Sequence, residues 1–516
     1  GYVLSDKRLS KRRCHVVLKG KMKIYYTLCF LPLIAVAVFC IRYNQNPMDF
    51  FLPNSLWNDE LLYYKTIEGI KEYGVPQGYF GYNESRAILG TFGAWSPVIY
   101  TLDAIWGSIC GWNYNMPIVA RFVFSSIAFL IYAHEKKPNH IECVNIILYV
   151  SFFTLYARYL MSQMADCHII ALMILFLAFN YMCEINGCKM GDTITSVLIV
   201  VLTLMRPYYI LLWLVAAARD NEDKKSLLKH GIIGLLSLIF YFVITHYMTA
   251  AYFSPLINVE WLKLIIKNPV DGIKNMFAIV AVATANVCLY IKCAWSQGDD
   301  IGMQYFIYGV ITTIFIVMAV TSKQKNSRRR WFAWCTVNIL FLFAIMLFYD
   351  IKVGSRHLMP FIIAEGVMLL GSSELKLYSK LLMIMVVCYL SLIRFNIPYL
   401  TTLPRYNEQL ESTLMQINSS LDEEIVIESQ DRWTNTILWV ISDRDGAYPW
   451  QTLYALPPGM GINICTYQYI LENFEDLSAG YIACTAGGDI ATLCRSSGYK
   501  EVIRINDQNV CIYKRL

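Results

Sequence analysis

The sequence predicts an α-helical polytopic membrane protein with about eleven transmembrane helices, followed by a small C-terminal extracytoplasmic α/β domain. Three observations support this fold class. About eleven strongly apolar stretches lie between Ile24 and about Pro398. Of the 516 residues 56% are hydrophobic and only 16% are charged, and the mean hydropathy is +0.43, whereas a soluble domain carries about 25% charged residues. Past Tyr399 the apolar runs stop, so residues 399–516 are predicted to form a soluble domain.

The N-terminal segment, residues 1–23, is rich in lysine and arginine and directly precedes the first apolar span. Lysine and arginine concentrate on the cytoplasmic side of membrane proteins, so we expect this terminus to be cytoplasmic. A basic arm of this kind can also bind nucleic acid. The apolar span that begins at Ile24 favours contact with the lipid bilayer, and we expect no nucleic-acid partner.

The predicted transmembrane module, residues 24–398, begins with one span and a long polar and aromatic loop at 42–116. Within this loop the apolar stretch 97–110 is shorter than the about 20 residues that a spanning helix needs, so we expect an interfacial or re-entrant segment. Ten further spans are predicted at 117–133, 141–156, 167–183, 193–205, 208–218, 231–250, 301–320, 331–348, 358–371 and 381–397.

The basic loops indicate which side of the membrane each connection occupies. Cytoplasmic loops are expected at 134–140, 220–229 and 323–330. This arrangement requires one apolar segment not to cross, and we expect 277–290 to pack without spanning because it follows an amphipathic stretch. The regions then predicted at the outer face are the first loop, the loop 158–166, Arg206, the loop 352–357 and the C-terminal domain.

Residues 399–516 alternate between strand and helix patterns, which indicates a small α/β domain. Strands are predicted at 424–428, 451–455, 481–485, 501–505 and 510–513, and helices at 433–441, 469–477 and 490–496. The domain also contains four cysteines, Cys465, Cys484, Cys494 and Cys511. One disulfide among them is expected only if the domain faces an oxidising space.

Asp59 and Glu60 follow the first span and are surrounded by aromatic residues. Aromatic side chains prefer the level of the lipid head groups. Charged groups beside apolar spans are costly, so the presence of two carboxylates here calls for a reason. We therefore predict that Asp59 and Glu60 are catalytic. The alternative is that they cap and solvate a juxtamembrane helix over 58–72. The aromatic residues expected to contact substrate are Trp57, Tyr63, Tyr82 and Trp95.

A second set of charged residues lies at the ends of later spans. Asp166 opens a helix and is predicted to be catalytic together with the first-loop carboxylates. The residues predicted to bind a phosphate are Arg158, Arg206, Lys352, Arg356 and His357. Structural alternatives are an interface anchor for Arg158 and a charge that stabilises the N-terminal end of a helix for Asp166. A snorkelling side chain is the alternative for Arg206, and a hydrogen-bonded structural role is the alternative for His357. Their common placement at one membrane face favours a site that combines a base with phosphate-binding cations.

The order of these residues along the chain and their expected placement at one membrane face resemble those of the GT-C superfamily of integral-membrane glycosyltransferases. The resemblance is to the branch with protein O-mannosyltransferases and aminoarabinose transferases in particular. The similarity extends from the first span to about Gly371. The segments that carry it are WNDE at 57–60, GAWSP at 93–97, ARF at 120–122, the loop 158–166, MRP at 205–207 and RHLMP at 356–360.

The resemblance implies transfer of a sugar from a polyprenyl-phosphate donor to a hydroxyl of a lipid, glycan or protein, with inversion at the anomeric carbon. It implies that Asp59 accepts the proton of the acceptor and that Asp166 is the acidic residue of the second outer loop. The Lys-Pro-Pro segment of the family corresponds to Trp95-Ser96-Pro97 and lacks the lysine. One of the other cations would then bind the phosphate. A divalent metal ion held by Asp59 and Asp166 is left open.

Two other classes of function also fit a polytopic protein with charged residues between its helices. A flippase or transporter of lipid-linked glycans is one, although such proteins commonly contain internal repeats, and none is evident here. A non-catalytic glycan-binding membrane protein is the other. No glycine-rich nucleotide-binding loop occurs, which disfavours an ATP-driven pump. The sequence identifies neither the sugar nor the acceptor.

Overall fold

The computed structural model describes most of the chain. The described residues are 23–47, 58–76, 80–84, 90–92, 96–113, 115–187, 189–219, 224–249, 257–395, 412, 415, 419, 436–441, 456, 460–477, 479–505 and 509–516. Of these, residues 58, 59, 61, 80–82, 186, 224 and 441 are described by their backbone alone.

Helices dominate the first four hundred residues. They are α1 (Leu31–Tyr43, preceded by the 3-10 helix Ile24–Phe30), α2 (Asn58–Tyr73), α3 (Thr101–Cys110), α4 (Met116–Lys136), α5 (His140–Phe152), α6 (Thr154–Leu160), α7 (Asp166–Asn186), α8 (Lys189–Met205), α9 (Trp213–Arg219, preceded by the 3-10 helix Pro207–Leu212), α10 (Lys224–Met248), α11 (Glu260–Lys267), α12 (Pro269–Gln297), α13 (Asp300–Thr321), α14 (Lys325–Phe348), α15 (Ile351–Leu370) and α16 (Leu377–Val387, continued by the π-helix Cys388–Arg394).

Within the described residues, nine helices are long and apolar enough to cross a membrane, or ten if the bent pair α5 and α6 forms one span. The axes of that pair differ by 71°. The protein is therefore a multi-pass integral membrane protein, as the sequence predicts. The apolar stretch 97–110 before α4 forms two short helices, the 3-10 helix Pro97–Tyr100 and α3. Neither helix is long enough to span a membrane.

Residues 277–290 belong to a helix longer than the predicted segment. Residues 277–290, which we expected to pack without spanning, form the middle of α12, a helix of 29 residues. Such a helix is about 43 Å long, which exceeds the about 30 Å thickness of the hydrocarbon core. Few of its residues are buried against the rest of the protein, as expected for a helix that faces lipid. By length and composition α12 is a candidate span. The segment just before it contacts Phe348, and the carbonyl of Trp295 near its end accepts a hydrogen bond from Arg394, so both ends of the segment lie at the same end of the bundle. That 277–290 packs without spanning therefore stays a prediction.

The C-terminal region folds around a six-stranded sheet. The strands are β1 (Phe80–Tyr82), β2 (Thr436–Ile441), β3 (Gly461–Thr466), β4 (Tyr481–Thr485), β5 (Tyr499–Ile505) and β6 (Val510–Arg515), and the helices are α17 (Tyr467–Asn473) and α18 (Asp489–Ser496). The sheet order is β1-β3-β2-β4-β6-β5. The first three strands and β4 run parallel, and β6 is antiparallel to β4 and β5. An α/β domain follows the helices, as predicted.

The helix predicted at 433–441 is wrong, because residues 436–441 form β2. Thr436, Ile437 and Val440 are β-branched, and the strand lies between β3 and β4 in the buried centre of the sheet. This environment favours the extended conformation. The strands predicted at 424–428 and 451–455 lie outside the described residues. The four cysteines of the domain are described as buried free thiols, and no disulfide joins them.

The loop 42–116 contributes described elements to both the helical bundle and the sheet. Strand β1, which belongs to that loop, pairs with β3, so Phe80 lies opposite Ile462. Helix α2 lies between the bundle and the sheet, since Tyr63 is buried in the core of the bundle and Tyr64 in the core of the sheet. Lys65 is fully buried, and its Nζ donates a hydrogen bond of 2.5 Å to the carbonyl of Leu456. The sheet therefore holds α2 in place.

Candidate active site

Four separate elements meet at the end of the bundle next to the sheet. They are the start of α2, the turn 161–165 between α6 and α7, the junction between α8 and the following 3-10 helix, and the start of α15. The first contact joins α2 to the turn. The backbone N–H of Gln163 donates to Oε1 of Glu60 at 3.4 Å, and Glu60 is only 3% exposed. Glu60 therefore lies against the turn that leads to Asp166.

Asp166 and Arg206 form a buried ion pair at the centre of this region. Nη2 of Arg206 lies 2.7 Å from Oδ1 of Asp166, and both side chains are fully buried. Asp166 is the first residue of α7, where the helix dipole favours a negative charge. Arg206 follows the last residue of α8, and Pro207 starts the next helix because it needs no backbone N–H there. Each buried charge depends on the other to offset its loss of hydration.

His357 extends the cluster to the start of α15. Its buried ring stacks with those of Tyr208 and Tyr349, with ring centroids 5.7 Å and 4.8 Å away. The hydroxyl of Tyr208 accepts a hydrogen bond of 3.4 Å from Nη1 of Arg206. A continuous set of contacts thus connects Asp166, Arg206, Tyr208 and His357, which come from three distant parts of the sequence.

The structure reveals a second buried cluster that the sequence analysis missed as a unit: Asp103, Arg121 and His168. The two guanidinium Nη atoms of Arg121 donate to the two carboxylate oxygens of Asp103 at 3.2 Å and 3.1 Å. Nε2 of His168 lies 2.8 Å from Oδ1 of Asp103. Burial alone would raise the pKa of Asp103, but Arg121 and His168 outweigh it and hold the pKa below its usual value. Asp103 is therefore ionised at neutral pH.

This cluster fixes the turn 161–165. Arg121 also donates to three backbone carbonyls, those of Met164 at 2.9 Å, Pro117 at 2.7 Å and Gln163 at 2.5 Å. Its five hydrogen bonds thus tie α3, α4 and the turn together. One sequence signal pointed to the cluster: an aspartate and an arginine stand in consecutive apolar segments, where each needs a partner of opposite charge.

The other predicted site residues belong to α2, α6, α15 and β1 or lie outside the described residues. Arg158 is buried in α6, and Tyr63 is buried in α2 with its ring centroid 5.4 Å from that of Tyr100. In the first two turns of α15, Lys352 is exposed and Arg356 is partly buried. The backbone of Asp59 is at the start of α2, directly before Glu60, and that of Tyr82 is in β1. The side chains of these last two, and all of Trp57 and Trp95, lie outside the described residues.

The structure also bears on the metal site that the resemblance left open. Among the described residues, no group of three or more histidine, cysteine, aspartate or glutamate side chains is placed to hold a metal ion. Of the two suggested ligands, Asp166 already binds Arg206. A guanidinium at 2.7 Å competes with a metal ion for the same carboxylate oxygen. The described part of the site therefore fits a guanidinium as the cation at Asp166.

No protein-family model matches the sequence, and no curated protein matches it. The structure, in contrast, is similar to that of a solved protein. The oligosaccharyltransferase of Archaeoglobus fulgidus, in its apo form, has a TM-score of 0.51 and 9% sequence identity, and the match covers 89% of this chain and 70% of that chain. At this identity the similarity establishes the fold alone. The chain has the fold of this oligosaccharyltransferase.

Two structures of ArnT from Cupriavidus metallidurans match less closely. The complex with undecaprenyl phosphate has a TM-score of 0.42 and the apo state 0.40, each at 11% identity over 94% of this chain and 97% of that chain. These scores add nothing to what the first match establishes. The fold implied by the resemblance is confirmed, with a helical membrane module followed by a small sheet domain.

Proposed function

We propose that this protein is an inverting glycosyltransferase that moves a sugar from a polyprenyl-phosphate donor to a hydroxyl of a lipid, glycan or protein. The reaction takes place at the outer membrane face, with the N terminus in the cytoplasm. One observation carries the proposal. In a GT-C fold, carboxylates and cations from four separate elements converge at one end of the bundle, where Glu60 meets the turn 161–165 and Asp166 pairs with Arg206.

In this mechanism Asp59 is the base. It stands at the start of α2, beside Glu60, which is bonded to the turn 161–165. The acceptor oxygen attacks the anomeric carbon from the face opposite the phosphate, and the bond between that carbon and the phosphate oxygen breaks. Asp59 takes the hydroxyl proton as the new bond forms. A single displacement of this kind inverts the anomeric configuration and releases the polyprenyl phosphate.

The cations stabilise the negative charge on the departing phosphate. Arg206 and Arg356 are the residues that we assign to this role, with Arg158, Lys352 and His357 as further contributors. Guanidinium groups bind phosphate through paired, charge-assisted hydrogen bonds. Asp166, 2.7 Å from Arg206, orients that side chain. We therefore assign Asp166 to the positioning of Arg206 rather than to proton transfer.

The direct experiment uses the purified protein and a panel of polyprenyl-phosphate sugars, with acceptors of each class. We expect one donor to be consumed and free polyprenyl phosphate to be released, and NMR of the product to show the opposite anomeric configuration. Asp59→Asn should abolish this release. In proteoliposomes a flippase would instead move a labelled donor between leaflets without releasing polyprenyl phosphate, and that result would refute the proposal.

A further inference from the structure

At the opposite end of the bundle from the candidate site, a groove of about 760 Å³ opens between the end of α13 and the starts of α14 and α16. Helix α13 extends from one end of the bundle to the other. Near its start, Tyr305 donates to the carbonyl of Ile351 beside the candidate site, whereas its last residue, Thr321, lines the groove. The inner wall is apolar and includes Ile314, Val317 and Met318.

Two helices begin at the groove without a side-chain cap. The N-cap residues are Gln324 for α14 and Lys376 for α16, and both line the groove. Neither side chain accepts a hydrogen bond from the first turn of its helix. The first N–H groups of a helix have no partner within the helix, and they carry a partial positive charge. Two such ends at one groove favour an anionic group.

The side chains at the mouth of the groove add positive charge. Lys323 and Lys376 line it and are exposed, and neither has an ion-pair partner in the part of the chain that the structure describes. The one acidic lining residue, Glu374, is already bound to Arg330 at 2.5 Å and to Nε1 of Trp331 at 2.8 Å. The mouth therefore has an excess of positive charge.

We propose that this groove binds an anionic phospholipid of the surrounding bilayer. Its phosphate lies between Lys323, Lys376 and the two helix starts, and one acyl chain follows the apolar wall formed by α13. Basic pockets between spanning helices are suited to acidic head groups because lysines near the membrane surface attract anionic lipids. The apolar wall favours a lipid over a soluble phosphate. This inference is independent of the proposed transferase activity.

Native mass spectrometry of the full chain, titrated with phosphatidylglycerol or phosphatidylcholine, tests the proposal. We expect retention of phosphatidylglycerol in preference to phosphatidylcholine. Because a lysine near the surface contributes about 1 kcal/mol, Lys323→Gln should weaken binding roughly fivefold and the double variant with Lys376→Gln roughly thirtyfold. The matched control is Lys137→Gln with Lys189→Gln, which removes the same charge from exposed positions at the same end, outside the groove.

A second variant tests the apolar wall without changing charge. Val317→Trp adds bulk within the groove, and we expect it to weaken binding of the two-chain lipid while thermal unfolding in detergent stays unchanged. Equal losses in the groove variant and the charge-matched control would overturn the proposal, because general surface attraction would then explain binding. Complete displacement by millimolar inorganic phosphate, with no effect of Val317→Trp, would overturn the lipid assignment.

Discussion

Arginine ion pairs at the two ends of the helical bundle differ in how deeply they are buried. At the candidate site, Arg121 and Arg206 are fully buried, and each is paired with an aspartate that is also buried. At the opposite end, Arg330 bridges Glu184 and Glu374 with 22% of its side chain exposed. A buried pair is costly to break, whereas water replaces much of an exposed one. Geometry is therefore more strictly enforced at Arg121 and Arg206 than at Arg330.

Substitutions at the two ends should differ most in their effect on catalytic turnover. Asp59→Asn should lower turnover by about 10²- to 10⁴-fold, because the amide keeps the shape of the side chain but cannot accept the proton. Turnover is measured as release of polyprenyl phosphate, and donor binding is measured separately. We expect donor binding and thermal unfolding to change little.

The control for this variant lies at the opposite end. Asp192 pairs with Arg219 there, 28% of its side chain is exposed, and Asp192→Asn should leave turnover near that of the wild type. If Asp59→Asn behaved like this control, Asp59 would not be the base. Glu60 would then be the next candidate.

The second prediction compares stability at the two ends. Arg121→Met leaves the buried Asp103 without its guanidinium partner, although His168 stays beside it, and frees the turn 161–165. The free energy of unfolding should fall by about 3 to 5 kcal/mol. Arg330→Met should cost about 1 kcal/mol or less, because that ion pair is partly hydrated. Denaturant unfolding in detergent measures both. Similar losses for the two variants would contradict the contrast drawn between the ends.

Local sequence patterns predicted part of this architecture. Apolar stretches located most of the spans, but the stretches 193–205 and 208–218 form helices too short to count among the candidate spans. The helix expected over 58–72 forms at Asn58–Tyr73. The error at 433–441 has a clear cause, since an apolar run of this length fits a helix or a buried strand, and only the neighbouring strands decide between them. The same limit applies to α12, because the amphipathic stretch before it favours an interfacial position whereas its own length and composition also fit a span.

The candidate site was predicted less completely because its contacts depend on which helices are neighbours. Asp103 and His168 are 65 positions apart, and no sequence spacing predicts their contact. The burial of Lys65 could not be predicted from the sequence for the same reason. On a surface helix a lysine normally faces water, but the sheet domain covers this one completely. The charged residues were visible in the sequence, but their partners were not.

A third prediction tests the phosphate role at the start of α15. Arg356→Lys should weaken donor use clearly, because an ammonium cannot reproduce a bidentate guanidinium contact. Arg356→Ala should cost about 2 to 4 kcal/mol of transition-state stabilisation, as for a lost electrostatic contact. Turnover against donor concentration is the measurement, with thermal unfolding recorded alongside. Full activity in Arg356→Lys would move the phosphate role to Arg206 or Arg158.

The smallest effect is expected where the sheet domain contacts α2. Lys65→Met removes the hydrogen bond to the carbonyl of Leu456 and leaves that carbonyl buried, which should cost about 1 to 3 kcal/mol of stability. Because α2 also carries Asp59 and Glu60, we expect kcat to fall while KM for the donor changes little. Lys71→Met, at an exposed position on the same helix, is the matched control. If both variants kept the wild-type kcat, the sheet would support the fold without positioning Asp59 and Glu60. A loss confined to Lys65→Met, and larger than its loss of stability explains, would give the sheet domain a positioning role at the end of the bundle where geometry is enforced.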